Sequence, residues 1–185
     1  MNTLTPAEAA RKILGGDVIV TPTEGVFGLS CDPWNEQAVR KLLALKQRSP
    51  GKGLIILAGD LYQLTSLVRH LSREQQEALA SSWPGPVTWL IPTPPDTPEW
   101  LTGGQPTLAV RVTDHPEVAE LTRQAGKAIV STSANLSGQP AATTVTEVRQ
   151  QFPELAILAG ELGGLAGPTE IRDLASGKII RPAST

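Results

Sequence analysis

The segment Ser131–Gly138 has the highest density of short hydrogen-bonding side chains in the chain, and it directly follows the apolar run Ala128–Val130. Serine, threonine and asparagine side chains compete with regular secondary structure for backbone hydrogen bonds. We therefore predict that a buried strand ends at this point and that a loop with converging donors follows it. A loop of this kind could bind a polar, anionic ligand.

A second candidate site is basic. The stretch from Arg40 to Lys52 contains five basic residues and no acidic one, although the net charge of the chain is -2. Several cations close together offset the desolvation of a polyphosphate, so the stretch suggests an oligoanion site. A solvated helix face is the alternative, and it suits Arg40 and Lys41. Lys46, Arg48 and Lys52 are better candidates because they surround a Pro-Gly turn that precedes an apolar strand.

A third candidate is Arg111, which lies near the end of the predicted strand Leu108–Val112. An arginine within an apolar strand is costly unless its charge is paired. The partner could be a carboxylate of this chain, or the carboxylate of a ligand that the guanidinium binds with two hydrogen bonds. The sequence leaves both possibilities open.

Several common sites are excluded or disfavoured. The P-loop motif is absent, and the glycine-rich segment Gly160–Gly167 lacks the dinucleotide spacing, so we predict a flexible loop there. His70, His115 and Cys31 form no zinc-type cluster and are expected to have surface or packing roles rather than roles in covalent catalysis. The four tryptophans do not alternate with basic residues, which favours core and loop anchors over base-stacking platforms.

Composition limits the class of protein. A chain of 185 residues with 40% apolar residues can bury a substantial core, and we predict a single domain over residues 1–185. The net charge of -2 gives no general attraction to nucleic acid or to an anionic membrane. One cysteine forbids an intramolecular disulfide, and neither a secretory signal nor a membrane-spanning segment is visible. We therefore expect a cytoplasmic protein.

Helix caps and apolar runs alternate along the chain, which indicates an α/β fold. The predicted helices cover residues 5–14, 35–46, 72–80, 116–124 and 145–152. The predicted strands cover residues 18–20, 54–57, 87–91, 108–112 and 128–130, and three short apolar segments follow at 156–158, 170–173 and 178–181. The proline-rich loop Pro92–Pro98 allows an antiparallel return between two of the strands. We therefore predict an open, twisted, mixed sheet flanked by helices.

Taken together, the motifs resemble those of the threonylcarbamoyl-adenylate synthase family with the YrdC-type fold, in its short bacterial form without an extra carboxyl-terminal domain. The resemblance extends from Pro6 to Arg181. The segments that carry it are Thr21–Glu24 with Phe27–Leu29, Leu45–Arg48 with Lys52–Leu54, Trp83–Thr88, Val110–Val112, Ser131–Gly138 and Pro168–Asp173.

This resemblance implies a function. The family condenses L-threonine, bicarbonate and ATP to threonylcarbamoyl-AMP and pyrophosphate, the activating step for N6-threonylcarbamoyladenosine formation in tRNA. It implies that Mg²⁺ accompanies ATP and that no protein side chain binds the ion. It also implies a downstream threonylcarbamoyl transferase complex as partner. It also implies a deep cavity with a positively charged lining.

The resemblance further assigns roles to ten residues. The phosphate-facing cations are Lys46, Arg48 and Lys52, the first two of them catalytic; the remaining ATP contacts are Ser133, Asn135 and Arg181; the threonine and carbamate contacts are Thr23, Arg111, Ser131 and Thr169. No general base is assigned, since no histidine lies in any of the motifs.

Two positions depart from the family pattern. Gly25 stands where a threonine, an alanine or a similar small residue is usual, and we expect it to loosen the loop that carries Thr23. Ser49 replaces the proline that commonly follows Arg48, which is expected to make that loop less rigid.

Two other functions remain open at this stage. The protein could instead be a non-catalytic module that binds structured RNA, including tRNA, in the same basic cavity. A carbamoyl-transfer module of the type found in hydrogenase maturation proteins is the third possibility, and it would use carbamoyl phosphate instead of threonine.

Overall fold

Ten strands form one open, twisted, mixed sheet within residues 3–184, the part of the chain that the computed structural model describes. The strands are β1 Thr3–Leu4, β2 Ile19–Pro22, β3 Phe27–Ser30, β4 Ile55–Ala58, β5 Val87–Pro92, β6 Thr107–Val112, β7 Ile129–Ser133, β8 Ile157–Leu158, β9 Glu170–Asp173 and β10 Ile179–Arg181. Their order across the sheet is β1-β8-β2-β3-β7-β4-β6-β5-β9-β10.

Helices connect these strands and flank the sheet. They are α1 Pro6–Leu14, α2 Glu36–Lys46, α3 Thr65–Val68, α4 Arg73–Ala80, α5 Glu99–Thr102, α6 Pro116–Ala125 and α7 Val145–Gln151, with 3-10 turns at Pro50–Lys52 and Leu61–Leu64. Thr5, Ser72 and Thr144 close capping boxes at the starts of α1, α4 and α7. Because each box satisfies two backbone N–H groups, the predicted starts of α1 and α4 agree closely with the structure.

The predicted mixed sheet is confirmed by the strand pairing. β5 and β6 are antiparallel, as the proline-rich connection between them suggested, whereas β4 and β6 are parallel. β7 lies at the centre of the sheet and is antiparallel to both β3 and β4. Most of the functional motifs lie on or next to these central strands.

The prediction that a strand ends at Val130 was wrong. β7 continues through Ser131 and Thr132 to Ser133, since these residues pair with strands on both sides. Thr132 faces Leu29 of β3, and Ser131 faces Ile55 of β4. Pairing on both sides satisfies the backbone groups, so the hydroxyl-bearing side chains do not need a loop. The sequence analysis also missed β1, β3, α3 and α5, which have four or fewer residues each.

Apolar side chains of the central strands pack on both faces of the sheet. Ile56 of β4 and Val130 of β7 belong to the larger core, while the next residue of β4 and the previous residue of β7, Leu57 and Ile129, belong to a smaller core beneath α1 and α6. This alternation follows the two-residue period of a strand. That the chain is a single domain stays a prediction. Within residues 3–184, no helix has the length and apolar character needed to cross a bilayer.

Candidate active site

A cavity of about 360 Å³ lies among the central strands, next to the turn after β2 and the segment before β9. Its wall is made by the start of β4, the start and middle of β6 and the end of β7. The charged residues that line it within the described chain are all basic: Arg48, Lys52, Arg111 and Arg181. A cavity of this size and charge is suited to small anionic ligands.

Eight of the ten residues that the family resemblance singles out line this cavity. They are Thr23, Arg48, Lys52, Arg111, Ser131, Ser133, Thr169 and Arg181. Lys46 and Asn135 do not line the wall but contact residues that do. The fold therefore brings together side chains from segments that are far apart in the sequence.

Lys46 lies behind the wall at the carboxyl end of α2, and it is 2% exposed. Its ammonium donates to the backbone O of Ser133, to the backbone O of Asn135 at 2.9 Å and to Oδ1 of Asn135 at 3.2 Å. Three acceptors match the three donors of a charged ammonium. Burial and the nearby charge of Arg48 lower the pKa of Lys46 to about 8. In this structure, Lys46 therefore organises the segment that follows β7.

Arg48 and Lys52 form the mouth of the cavity, on the loop between α2 and β4. Arg48 is half-buried, and its Nη2 donates to the backbone O of Gly53 at 3.1 Å and of Lys52 at 3.3 Å. Burial lowers its pKa, and its Nε has no hydrogen-bond partner among the described residues. Lys52 is exposed. Since no carboxylate forms an ion pair with either cation within residues 3–184, the mouth can attract a polyanion.

Arg111 lies at the buried end of the cavity, and it does have a carboxylate partner within the chain. Its Nη2 is 3.0 Å from Oε2 of Glu24, and the two side chains are 4% and 6% exposed. Thr113 donates to Oε1 of Glu24 at 2.6 Å, and Nη1 of Arg111 donates to Oγ1 of Thr169 at 2.5 Å. Burial lowers the pKa of Arg111, and the charges of Glu24 and Asp114 offset part of this shift. The internal-carboxylate alternative is thus confirmed, while the side chain still faces the cavity.

Arg181 adds a second cation to the buried end. Its Nη2 and Nε donate to the backbone O of Thr169 at 2.7 Å and 3.2 Å. Much of the residue is exposed, but its guanidinium lies on the cavity wall. Partial burial and the like charge of Arg111 lower its pKa. Thr169 therefore contacts both arginines, one through its hydroxyl and one through its carbonyl.

The chain is similar to known proteins over most of its length. The sequence matches the Sua5/YciO/YrdC family model, described as "Telomere recombination", over residues 11–183. Threonylcarbamoyl-AMP synthase of Yersinia enterocolitica is 56% identical over 168 residues, which cover 89% of this chain and 88% of the relative. Threonylcarbamoyl-AMP synthase of Pseudomonas aeruginosa is 53% identical over 177 residues, which cover 95% of each protein.

The chain belongs to the Sua5/YciO/YrdC family. The crystal structure of P. abyssi Sua5 complexed with L-threonine superposes with a TM-score of 0.88 at 29% identity, covering 96% of this chain. The present chain spans 54% of the length of that protein. The similarity therefore covers essentially the whole of the fold described here and about half of Sua5.

Gly25 departs from the family pattern, and the structure shows why a side chain does not fit. A Cβ atom at this position would lie 2.0 Å from the backbone O of Gly167. The glycine-rich segment packs closely here, because Gly163 N donates to Thr23 O at 3.0 Å and Leu165 N donates to Glu24 O at 2.8 Å. This close packing disfavours the expectation that Gly25 loosens the loop, which stays a prediction. Through Gly163 and Leu165, the segment Gly160–Gly167 forms a strap that is hydrogen-bonded to residues 23 and 24, and its flexibility stays a prediction.

Ser49, the second departure, has backbone angles of φ -59° and ψ 133°. These angles are close to those that proline adopts, so the family's usual residue would fit the backbone found here. Whether serine makes the Arg48 loop less rigid stays a prediction.

The residues that were disfavoured as catalysts have packing roles. Cys31 is buried, and burial raises the pKa of its thiol to about 12. The Nε2 atom of His115, a 4% exposed side chain, is 2.8 Å from the backbone O of Glu161 in the strap. No group of three or more His, Cys, Asp or Glu residues in the described chain could hold a metal ion.

Glu24 is the buried partner of Arg111 that the sequence analysis did not identify. It follows Thr23 directly in the turn after β2, but it was not paired with Arg111 because 86 residues separate the two. The available signal was that Glu24 is the one charged residue between Val18 and Cys31, in a chain that also has an arginine within an apolar strand.

Proposed function

We propose that this protein is a threonylcarbamoyl-AMP synthase, which forms L-threonylcarbamoyl-AMP and pyrophosphate from L-threonine, bicarbonate and ATP. The observation that carries the proposal is the single cavity wall with eight motif residues, in a chain about half identical to proteins of that name. The reaction is the activating step for N6-threonylcarbamoyladenosine in tRNA.

The chemistry of this reaction requires cations. The threonine amine attacks bicarbonate with loss of water, and a carbamate oxygen then attacks the α-phosphorus of ATP, so that pyrophosphate leaves. Both steps bring anions together. Fixed cations and hydrogen-bond donors reduce the repulsion and hold the reactants in line, which is the main contribution of the protein in phosphoryl and nucleotidyl transfer.

The two ends of the cavity divide this work. Arg48 and Lys52 at the mouth would face the phosphates, with Lys46 supporting the loop or moving to the phosphates when ATP binds. Ser133, Asn135 and Arg181 would hold the nucleotide, and Arg181, which shares Thr169 with Arg111, would do so where the nucleotide and the amino acid meet.

The buried end would hold the amino acid and the carbamate. Arg111 would bind the threonine carboxylate, with Thr23, Ser131 and Thr169 around it. Thr23 already donates to the backbone O of Val26 at 2.7 Å, which fixes its hydroxyl at the edge of the cavity. The family's structure with bound L-threonine supports an amino-acid subsite in this fold.

Magnesium would enter with ATP as part of the substrate. The cavity lining of the described chain offers hydroxyls and backbone carbonyls but no carboxylate. Mg²⁺ in such sites commonly keeps several waters and binds through substrate phosphates. We therefore expect the ion to be held by the triphosphate, without a ligand set of protein side chains.

The product of the reaction is unstable. We therefore expect it to pass to a threonylcarbamoyl transferase complex, which is the downstream partner in this proposal. A cytoplasmic location remains part of this proposal. A non-catalytic role in binding structured RNA or tRNA is not favoured, because the curated relatives are synthases and the cavity has the volume of a small-molecule site.

The experiment that tests the function measures pyrophosphate release from MgATP with and without L-threonine and with and without bicarbonate, together with mass detection of the adenylate. Strict dependence on both substrates is the expected result. Activity with carbamoyl phosphate but not with threonine would instead assign a carbamoyl-transfer reaction. Salt-sensitive binding of structured RNA without either chemistry would assign an RNA-binding role.

A further inference from the structure

The buried end of the cavity contains two cations and one carboxylate. Arg111 and Glu24 are 3% and 4% exposed and lie 3.0 Å apart through Nη2 and Oε2. Arg181 is close enough that the charge of Arg111 lowers its pKa. These three groups together carry one net positive charge, and the exposed Asp114 also acts on Arg111 electrostatically.

Arg111 has unused hydrogen-bond donors in this arrangement. Among the described residues, its guanidinium makes one hydrogen bond, from Nη1 to Oγ1 of Thr169, and its buried Nε has no partner. Oε2 of Glu24 also accepts no hydrogen bond from the described residues, so its contact with Arg111 is an ion pair without a directed N–H. Because Arg111 lines the cavity, donors that it does not use within the chain are available to a ligand oxygen.

A chain of contacts holds the guanidinium of Arg111 in place. Thr113 donates to Oε1 of Glu24 at 2.6 Å, and the carboxylate in turn holds Nη2 of Arg111. Thr169 holds Nη1 on the other side. The guanidinium is therefore restrained at two nitrogens before any ligand arrives, which reduces the entropy lost on binding.

We propose that Glu24 is a positioning and specificity-determining residue, which orients Arg111 and makes this guanidinium favour a singly charged carboxylate over a phosphate group. The proposal rests on the proposed function, in which the threonine carboxylate binds there. The carboxylate of threonine carries one negative charge both before and after the amine becomes a carbamate, whereas inorganic phosphate carries more than one at neutral pH. The mouth, with Arg48 and Lys52, has no such compensating carboxylate among its lining residues.

The compensation has a functional reason. ATP and pyrophosphate are present in the same cavity as the amino acid, and two arginines without a carboxylate would attract a phosphate group to the amino-acid subsite. Glu24 makes this placement unfavourable through like-charge repulsion. It therefore keeps the subsite open for threonine.

The test compares the wild type with Glu24→Gln and with Glu120→Gln as a matched control. Glu120 undergoes the same chemical change but pairs with Arg123 on an exposed surface of α6. Adenylate formation is followed by mass detection while L-threonine is varied at fixed MgATP, with inorganic phosphate as the probe inhibitor. All variants are also checked by thermal unfolding.

Glu24→Gln is expected to raise KM for threonine by about tenfold or more, because Arg111 loses its orienting charge, with a smaller change in kcat. Inorganic phosphate is expected to become a competitive inhibitor against threonine in this variant but not in the wild type. Glu24→Asp should restore part of the threonine affinity. Glu120→Gln should leave KM and the inhibition pattern unchanged. A wild-type KM and a wild-type phosphate pattern in Glu24→Gln would overturn the proposal.

Two further measurements distinguish a failure of this proposal from a variant that does not fold and from a failure of the proposed function. If Glu24→Gln does not fold, Thr113→Val retains both charges but removes the hydrogen bond that fixes the carboxylate, and an unchanged KM for threonine would then contradict the positioning role. If the wild type shows no threonine-dependent adenylate, the proposed function fails. Calorimetric titration of inorganic phosphate into the wild type and Glu24→Gln then still tests the charge effect, and equal affinities would contradict it.

Discussion

The mouth of the cavity and its buried end use basic residues in different ways. At the mouth, Arg48 and Lys52 stand four residues apart on one loop, with solvent access and without an ion-pair partner in the described chain. At the buried end, Arg111 is 3% exposed and is restrained by Glu24 and Thr169. The cations at the mouth are free to attract an anionic ligand, whereas the guanidinium at the buried end is held in one orientation.

This difference follows from the dielectric environment. Exposed cations interact with a polyanion over a long range but are screened by salt, so they can remain unpaired at little cost. A buried guanidinium cannot remain uncompensated, because the desolvation penalty amounts to several kcal/mol per ion in proteins. A buried arginine therefore requires a carboxylate, whereas a basic loop at the surface does not. Four variants can break or sharpen this comparison.

Removal of the buried cation should have the largest effect. Arg111→Met leaves the carboxylate of Glu24 buried without its ion-pair partner, and the free energy of unfolding should fall by about 3–5 kcal/mol. Threonine-dependent turnover should also be lost. Denaturant unfolding and adenylate formation measure the two effects. The double variant Arg111→Met with Glu24→Leu should regain stability but not activity. A double variant as unstable as Arg111→Met alone would show that the two charges do not compensate each other.

Removal of a cation at the mouth should affect turnover and not stability. Arg48→Ala deletes a charge-assisted contact worth about 1.5–3 kcal/mol, so turnover should fall at least tenfold. The melting temperature should change little, because the side chain bonds only to backbone carbonyls of its own loop. The matched control is Arg40→Ala on α2, where the arginine forms an exposed pair with Glu36. Normal turnover in Arg48→Ala would exclude a phosphate role for this residue.

A side chain at Gly25 should disturb the strap over the buried end. Gly25→Ala places a Cβ 2.0 Å from the O of Gly167, and overpacking of this kind costs about 1–3 kcal/mol. We expect a lower melting temperature and a higher KM for threonine. Gly15→Ala is the control, since Gly15 has φ -77° and ψ -1° at the end of α1 and tolerates a side chain. Similar behaviour of the two variants would show that the strap adapts freely.

The smallest expected effect, expressed per pH unit, is the pH dependence that Lys46 contributes. Its pKa is lowered from 10.5 to about 8, so the folded chain binds fewer protons than the unfolded chain between these two pH values. Its contribution to stability is fully present above pH 10.5 and is lost as the pH falls toward 8. The free energy of unfolding should thus rise with pH in this window by at most about 1.4 kcal/mol per unit.

Lys46→Met should remove this slope, because the substituted side chain does not titrate. Denaturant titrations of both proteins at several values between pH 8 and pH 10 measure the difference. Equal slopes would show that the pKa of Lys46 is not lowered in the folded chain.

The order of helices and strands could be predicted from local signals. Capping residues such as Thr5 and Ser72 fixed helix starts to within a residue, because their hydrogen bonds are made within one turn. The run at residues 131–133 was misassigned because hydroxyl-bearing side chains favour loops only when their backbone lacks strand partners. Here β3 and β4 supply those partners from both sides.

The sequence by itself determined the α/β class, the basic loop at Arg48 and Lys52, and the membership motifs, since each depends on residues close together in the chain. Only the tertiary structure decided which carboxylate pairs with Arg111 and why position 25 excludes a side chain. Glu24 reaches Arg111, and Gly25 meets Gly167, across separate segments of the fold. Contacts of this kind depend on sheet order and packing distance, which local propensities do not specify.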